Sequence, residues 1–239
     1  MPVTARSSTR LLFTCEHGGH AVPPPYRALF RGAGEVLKSH RGWDPGALVL
    51  AQRFAETFQA KLFFSTTTRL LVELNRSLHH PKLFSDYTRG LSRDAKQQVL
   101  ETYYLPHRQA VERYIASEIA AGRSVLHIGV HSFTPQLNGE VRQADIGLLY
   151  DPARTKERHF CAAWRKALLA AEPDLRVRKN YPYLGTADGF TTYLRRQFDD
   201  ADYAGIELEV NQRFPLHAKP AWRQRQATLM ASLSAATTT

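Results

Sequence analysis

A chain of 239 residues with 43% hydrophobic and 23% charged positions can bury a core of its own and lacks the low-hydrophobicity signature of disorder. Its 32 Lys and Arg exceed 22 Asp and Glu for a formal charge of +10. These cations recur singly from Arg6 to Arg225, with no zinc-finger spacing, aromatic–basic strand motif or long basic helix, so a small acidic substrate is expected rather than nucleic acid.

Cys15 and Cys161 are too few for a disulfide scaffold and are expected to be buried thiols. No apolar run approaches the roughly 20 residues that span a bilayer, and the polar start lacks a signal-peptide core. The expectation is one cytoplasmic catalytic domain over residues 1–239 without a membrane partner, flexible at residues 1–9 and 235–239. No pattern in the sequence separates an interface from the core, so oligomeric state is left open.

Residues 10–15 read as a first, central strand, apolar enough to be buried on both faces and ended by the turn-like Gly18-Gly19 and Pro23-Pro24-Pro25. Ala47, Leu48, Ala51, Phe54, Ala55 and Phe58 return at spacings of three and four, which predicts a helix over residues 47–60. A strand pair is expected at 62–64 and 70–74. Ser92 is a suitable N-cap for a long helix that ends at Gly122, and Pro106 in its middle removes an amide donor and should kink or divide it. Residues 124–130 form the next buried strand and run directly into His131. Further strands are expected at 146–150, 175–178 and 203–210, and a helix at 155–171. Asp188 is expected to cap a short helix reaching Phe198, and a final helix follows Pro220. This alternation argues for an α/β fold with a mostly parallel or mixed sheet between helical layers.

Polar clusters stand at the predicted strand ends: Glu16-His17-Gly18-Gly19-His20, Asn75-Arg76, His131-Ser132, and Glu207-Leu208-Glu209-Val210-Asn211. Such a distribution is what a site at the carboxyl edge of a sheet requires, because metal ligands must converge from separate elements. His17, Asp44 and His131 offer the nitrogen and oxygen donors of an open zinc site, in which a bound water is acidified and an amide carbonyl polarised. Glu16 and His20 are alternative ligands, and Asp44 could equally cap a helix that starts near Pro45. The planar head of Arg76 suits a substrate carboxylate, with Arg69 or a cation among residues 176–179 as a second partner; a structural pair with Asp44 or Glu73 is the alternative. Glu207 and Glu209 share one strand face and need partners if buried. Glu209, nearer the strand's exit, is the better general base and acid. Gly-x-Ser-x-Gly, Gly-x-Gly-x-x-Gly and P-loop motifs do not occur.

Six segments in order, Cys15-Glu-His-Gly-Gly-His20, Arg41-Gly-Trp-Asp44, Arg69-Leu-Leu-Val-Glu-Leu-Asn-Arg76, His131-Ser-Phe133, Asn180-Tyr-Pro-Tyr-Leu-Gly185 and Glu207-Leu-Glu-Val-Asn-Gln212, resemble the N-formylglutamate amidohydrolase family. The resemblance implies a three-layer α/β/α, phosphorylase/hydrolase-like fold with a central mixed, mostly parallel sheet, akin to zinc carboxypeptidases and aspartoacylases. It implies Zn2+-assisted hydrolysis of the linear amide of N-formyl-L-glutamate or a related carboxylate-bearing N-acyl amino acid. His17, Asp44 and His131 then stand as metal ligands and Glu209 as the catalytic acid and base. Asn75, Arg76, Arg69, Asn180 and Tyr183 become substrate contacts, with Glu73 and Glu207 behind them. Glu73 in place of an aspartate, and Glu-His-Gly-Gly in place of a Pro-His form, bear on the exact substrate more than on the mechanism. A metallopeptidase or amidase acting on short or cell-wall peptides, and a non-catalytic anion-binding protein, are the competing readings.

Overall fold

The computed structural model describes residues 8–217 and 219–238. Of the ends expected to be flexible, residues 1–7 and 239 lie outside these; Thr9 already opens the first strand and the last helix runs to Thr237. In chain order the elements are β1 (Thr9–Cys15), a 3-10 turn (Pro24–Phe30), α1 (Gly34–Lys38), α2 (Ala47–Phe58), β2 (Lys61–Phe64), α3 (Arg93–Val99), a π-helical stretch (Leu100–Tyr104) and α4 (Leu105–Ala120). Then follow β3 (Ser124–Phe133), β4 (Gln136–Leu137), β5 (Glu140–Val141), β6 (Ile146–Leu149), α5 (Thr155–Ala171), β7 (Val177–Lys179), α6 (Phe190–Gln197), β8 (Tyr203–Asn211), α7 (Arg213–His217) and α8 (Lys219–Thr237).

Six strands form one sheet in the order β2-β1-β3-β8-β6-β7. All neighbours are parallel except β6 with β8, so the sheet is mixed and mostly parallel, as expected. The period of two sorts the strand residues between two helical layers. Phe13, Cys15, Leu126, Ile128, Val130, Ile206, Leu208 and Val210 pack against α2, α5 and α8. Leu12, Val125 and Tyr203 pack the other way, against Val111 and Ile115 of α4 and Phe190 and Leu194 of α6. Both cysteines are buried free thiols. Among the described residues no helix is long and apolar enough to cross a membrane.

The chain moves outward from β1 to β2 and returns past β1 to β3, which places a topological switch point between β1 and β3. In open α/β sheets a crevice forms at the carboxyl ends of the strands at such a point.

Several local expectations are corrected. Leu70–Leu74 is buried but forms no strand. The carbonyl of Leu70 accepts from the Ser85 and Thr88 hydroxyls, the Glu73 amide donates to Leu83, and the apolar side chains join Tyr26, Phe30, Val99 and Tyr104 in a separate cluster. A short apolar run does not by itself distinguish a strand from a buried turn. His131 lies inside β3, not after it. Asp188 does not cap α6: the N-cap is Gly189 without a side-chain bond, and the Asp188 carboxylate accepts instead from the Ser77 amide. Ser92 does cap α3 through the Ala95 amide. The long helix is divided next to Pro106 as expected: Pro106 stands in the first turn of α4, and the turn before it widens to a π geometry, with the Leu105 amide donating to Leu100.

Candidate active site

Three parallel strands deliver the site at their carboxyl ends. β1 ends at Cys15 and leads into Glu16 and His17, β3 carries His131, and β8 carries Glu207 and Glu209, with His131 directly opposite Glu209 in the ladder. His127, Gly129, His131, Glu207 and Glu209 alternate with the strand residues that pack on α2, α5 and α8, so the polar residues share the opposite face. Gly19 lets the chain leave β1 in a tight path, since a Cβ there would lie 2.6 Å from the Thr66 carbonyl. Asp44 arrives on the loop before α2, pinned by its own amide donating to the His17 carbonyl at 2.9 Å. It does not cap that helix, whose N-cap is Gly46.

His17, Asp44 and His131 converge, all buried. His17 Nδ1 lies 3.2 Å and His131 Nδ1 3.1 Å from the same oxygen, Asp44 Oδ2. Ligand atoms around a tetrahedral zinc, bound at about 2.0–2.1 Å, are separated by roughly 3.3 Å; both contacts to Asp44 match that spacing, and the three ligand atoms all lie within 4.8 Å of one another. Each histidine also has a carboxylate behind it: Glu73 Oε1 meets His17 Nε2, and Glu16 Oε2 lies 3.3 Å from His131 Nε2. A carboxylate on the outer ring nitrogen fixes a ligand histidine's tautomer and ring orientation. Burial, the largest influence, pushes the Asp44 carboxyl up, but His17, the bonds from both histidines and Arg69 outweigh it and hold it well below the ordinary range. It is a permanent anion between the rings.

Glu209 is in the opposite situation. Burial pushes it up to about 8, with His131 opposing and Asp44 and Glu207 adding to the rise. Its Oε2 is buried without a hydrogen-bond partner. Glu207 is engaged, accepting from Thr191 Oγ1 at 3.1 Å and from Asn75 Nδ2 at 3.4 Å.

A cavity of about 180 Å³ is lined by His17, Asp44, His131, Glu209, Arg76 and Tyr183, together with Arg69, Asn75 and Glu207. A larger one of about 390 Å³ opens at the opposite edge of the sheet, beside Thr9, Ser124 and Tyr203, and no histidine or glutamate lines it. His17, Asp44, His131 and Glu209 thus gather at the smaller cavity.

Not every sequence candidate reaches it. Glu16 stands behind the His131 ring, and His20 is exposed against Trp43. Asn180 is not in the lining; its Oδ1 accepts from the Tyr150 and Gly185 amides. Arg69, not Arg76, pairs with Asp44 and Glu73, at 3.2 and 2.7 Å. Arg76 donates instead to the Asp188 carbonyl. Asn75 lines the cavity while its Oδ1 accepts from the Phe190 amide at 2.6 Å, tying down the start of α6. Sequence reasoning passed over Ser132 as a contact, whose amide donates to Asp44 at 3.4 Å, and over Leu184 and Asp188 in the lining. No spacing marks the last two, because they enter from a loop.

The N-formylglutamate amidohydrolase family pattern matches residues 9–215. Among solved structures, a gene product of Agrobacterium tumefaciens is similar with a TM-score of 0.74 and 27% identity over 94% of this chain and 90% of that one. N-formylglutamate amidohydrolase from Ralstonia eutropha shares the fold with a TM-score of 0.64 and 20% identity, over 95% of this chain and 92% of its own. No curated protein matches the sequence.

Proposed function

The chain belongs to the N-formylglutamate amidohydrolase family, and from that premise we propose that it hydrolyses the amide of N-formyl-L-glutamate or a closely related N-acyl amino acid with a free carboxylate. The observation that carries this reading is the convergence of His17, Asp44 and His131 in a small cavity that also holds the unpartnered carboxyl of Glu209.

These three residues would hold a zinc ion, which when bound supplies Lewis acidity toward the amide carbonyl and lowers the pKa of water. Glu209 takes a proton from the water whose oxygen attacks the carbonyl carbon, and gives a proton to the nitrogen as the carbon–nitrogen bond breaks. The products are a carboxylate and a free amino acid. One group must serve as base and then acid because an amide nitrogen leaves poorly as an anion. Arg76 grips the substrate carboxylate, and Tyr183 closes one wall. A cavity of about 180 Å³ suits one small amino-acid derivative rather than an extended peptide.

The test is turnover of N-formyl-glutamate by the purified, metal-analysed protein and by Glu209→Gln, which keeps the shape of the side chain and removes its titration. The variant should retain its metal and lose about 10²–10⁴-fold in turnover, the usual scale for positioned proton transfer. Near-normal turnover at full occupancy rejects Glu209 as the acid and base; loss of the ion would make it a ligand.

A further inference from the structure

Glu16 has two carboxylate oxygens, and only one of them faces His131. The other, Oε1, lies 3.3 Å from Nε2 of His107, which belongs to α4 and comes from a different layer of the molecule. Glu16 is 2% exposed, and the His107 side chain is 8% exposed, with its ring against Phe190. The result is a continuous line from helix to site: His107 Nε2, Glu16 Oε1, Glu16 Oε2, His131 Nε2, and then His131 Nδ1 at Asp44.

We propose that His107 is a positioning residue of the metal centre, holding Glu16 so that the His131 ring presents Nδ1 toward Asp44. The proposal rests on the metal-site reading above. A buried carboxylate is stable only when donors meet it. Without His107, Glu16 would keep only its contact with His131 among these side chains and be free to rotate, which loosens the ring it should fix.

The placement of His107 depends on the helix that carries it. One residue turns an α-helix by roughly 100°. The π stretch Leu100–Tyr104 immediately precedes α4, so its wider turn decides which side chains face the sheet. Next to His107, buried Arg108 locks that phase: it donates to the Leu74 carbonyl at 2.9 Å and its guanidinium stacks 4.3 Å from the centre of the Phe190 ring. The same helix therefore holds both the loop before Asn75 and the carboxylate behind His131.

A pair that merely anchors α4 would affect stability and leave metal binding alone. The experiment compares zinc affinity, by competition with a chelator, in wild type, His107→Leu and His107→Gln, with the thermal midpoint of each metal-free protein measured in parallel. Leucine fills the volume without a donor, whereas the glutamine amide can donate from nearly the place of Nε2. The leucine variant should bind zinc about tenfold more weakly, at the low end of the 10–100-fold expected for a partner of a ligand histidine, and glutamine should restore most of that loss. Equal affinities in all three proteins overturn the proposal, as does a glutamine variant no better than leucine. If leucine prevents folding, the glutamine variant decides: binding within a few-fold of wild type supports the role and a tenfold loss rejects it. A wild type that takes up no zinc overturns the metal reading, and this inference with it.

Discussion

Arg76 enters the cavity with Nη1 on the Asp188 carbonyl and, among the described residues, forms no ion pair with an acidic side chain. Its charge is therefore not taken up by an acidic side chain, as the proposed contact with a substrate carboxylate requires, whereas Arg69 is committed to Asp44 and Glu73. Arg76→Lys keeps the charge and removes the bidentate fork. Catalytic efficiency toward N-formyl-glutamate should fall at constant metal content, with the preference for acidic over amidated substrates reduced; an unchanged preference removes Arg76 from recognition. Four residues before His131, His127 has a different role. It is fully buried between Thr14 Oγ1 at 2.9 Å and the Tyr203 hydroxyl at 2.8 Å, and burial, the largest influence, holds its pKa down to about 4. As pH falls below 6.5 the unfolded chain takes up a proton there that the folded protein refuses until about 4. The stabilisation is therefore complete above about 6.5 and is lost progressively down to about 4, by roughly 3 kcal/mol in all. His127→Gln should remove that segment of the pH–stability curve, read as the difference between wild type and variant in denaturant unfolding.

At the scale of elements, β6 and β8 form the antiparallel pair of the six-stranded sheet among the described residues, and this pairing brings Gly147 opposite Glu209. A Cβ at Gly147 would lie 2.0 Å from the Tyr181 carbonyl oxygen and 3.2 Å from the Glu209 Cβ. The backbone carbonyl cannot swing away as a flexible side chain would, so β6 or the 180–185 loop must shift. Gly147→Ala should cost at least about 1–3 kcal/mol in denaturant unfolding, the usual scale for overpacking, and should lower turnover because Glu209 moves with β8. Wild-type stability in that variant would show that the contact relaxes freely. Most elements were legible because their periods are local properties: α5 spans residues 155–171 as expected, and Ser92 caps its helix. Leu70–Leu74 was not, since its strand-like composition serves a turn whose amides and carbonyls find partners in the 83–88 segment. The π stretch was legible only as a disturbance near Pro106, because several local geometries can accommodate a missing amide.

At the scale of the whole molecule, the site exists because β1, β3 and β8 are parallel and end on the same edge, beside a switch in the winding of the chain. The net charge of +10 is consistent with attracting an anion. It does not say where, since the arginines nearest the candidate metal ligands differ in what they already bind. The sequence by itself determined the layered α/β architecture and the set of polar clusters, because hydrophobic period and residue chemistry are written along the chain. The family resemblance told which clusters to join. What only the tertiary structure decided is which atoms of those residues meet. Glu16 and His17 are neighbours in sequence, yet one stands behind His131 while the other approaches Asp44. Arg69 rather than Arg76 neutralises the buried acids, and His107 reaches the site from a helix 91 positions beyond Glu16. These outcomes depend on side-chain direction, helix phase and loop path, which are fixed by packing between distant segments and leave no periodic trace in the sequence.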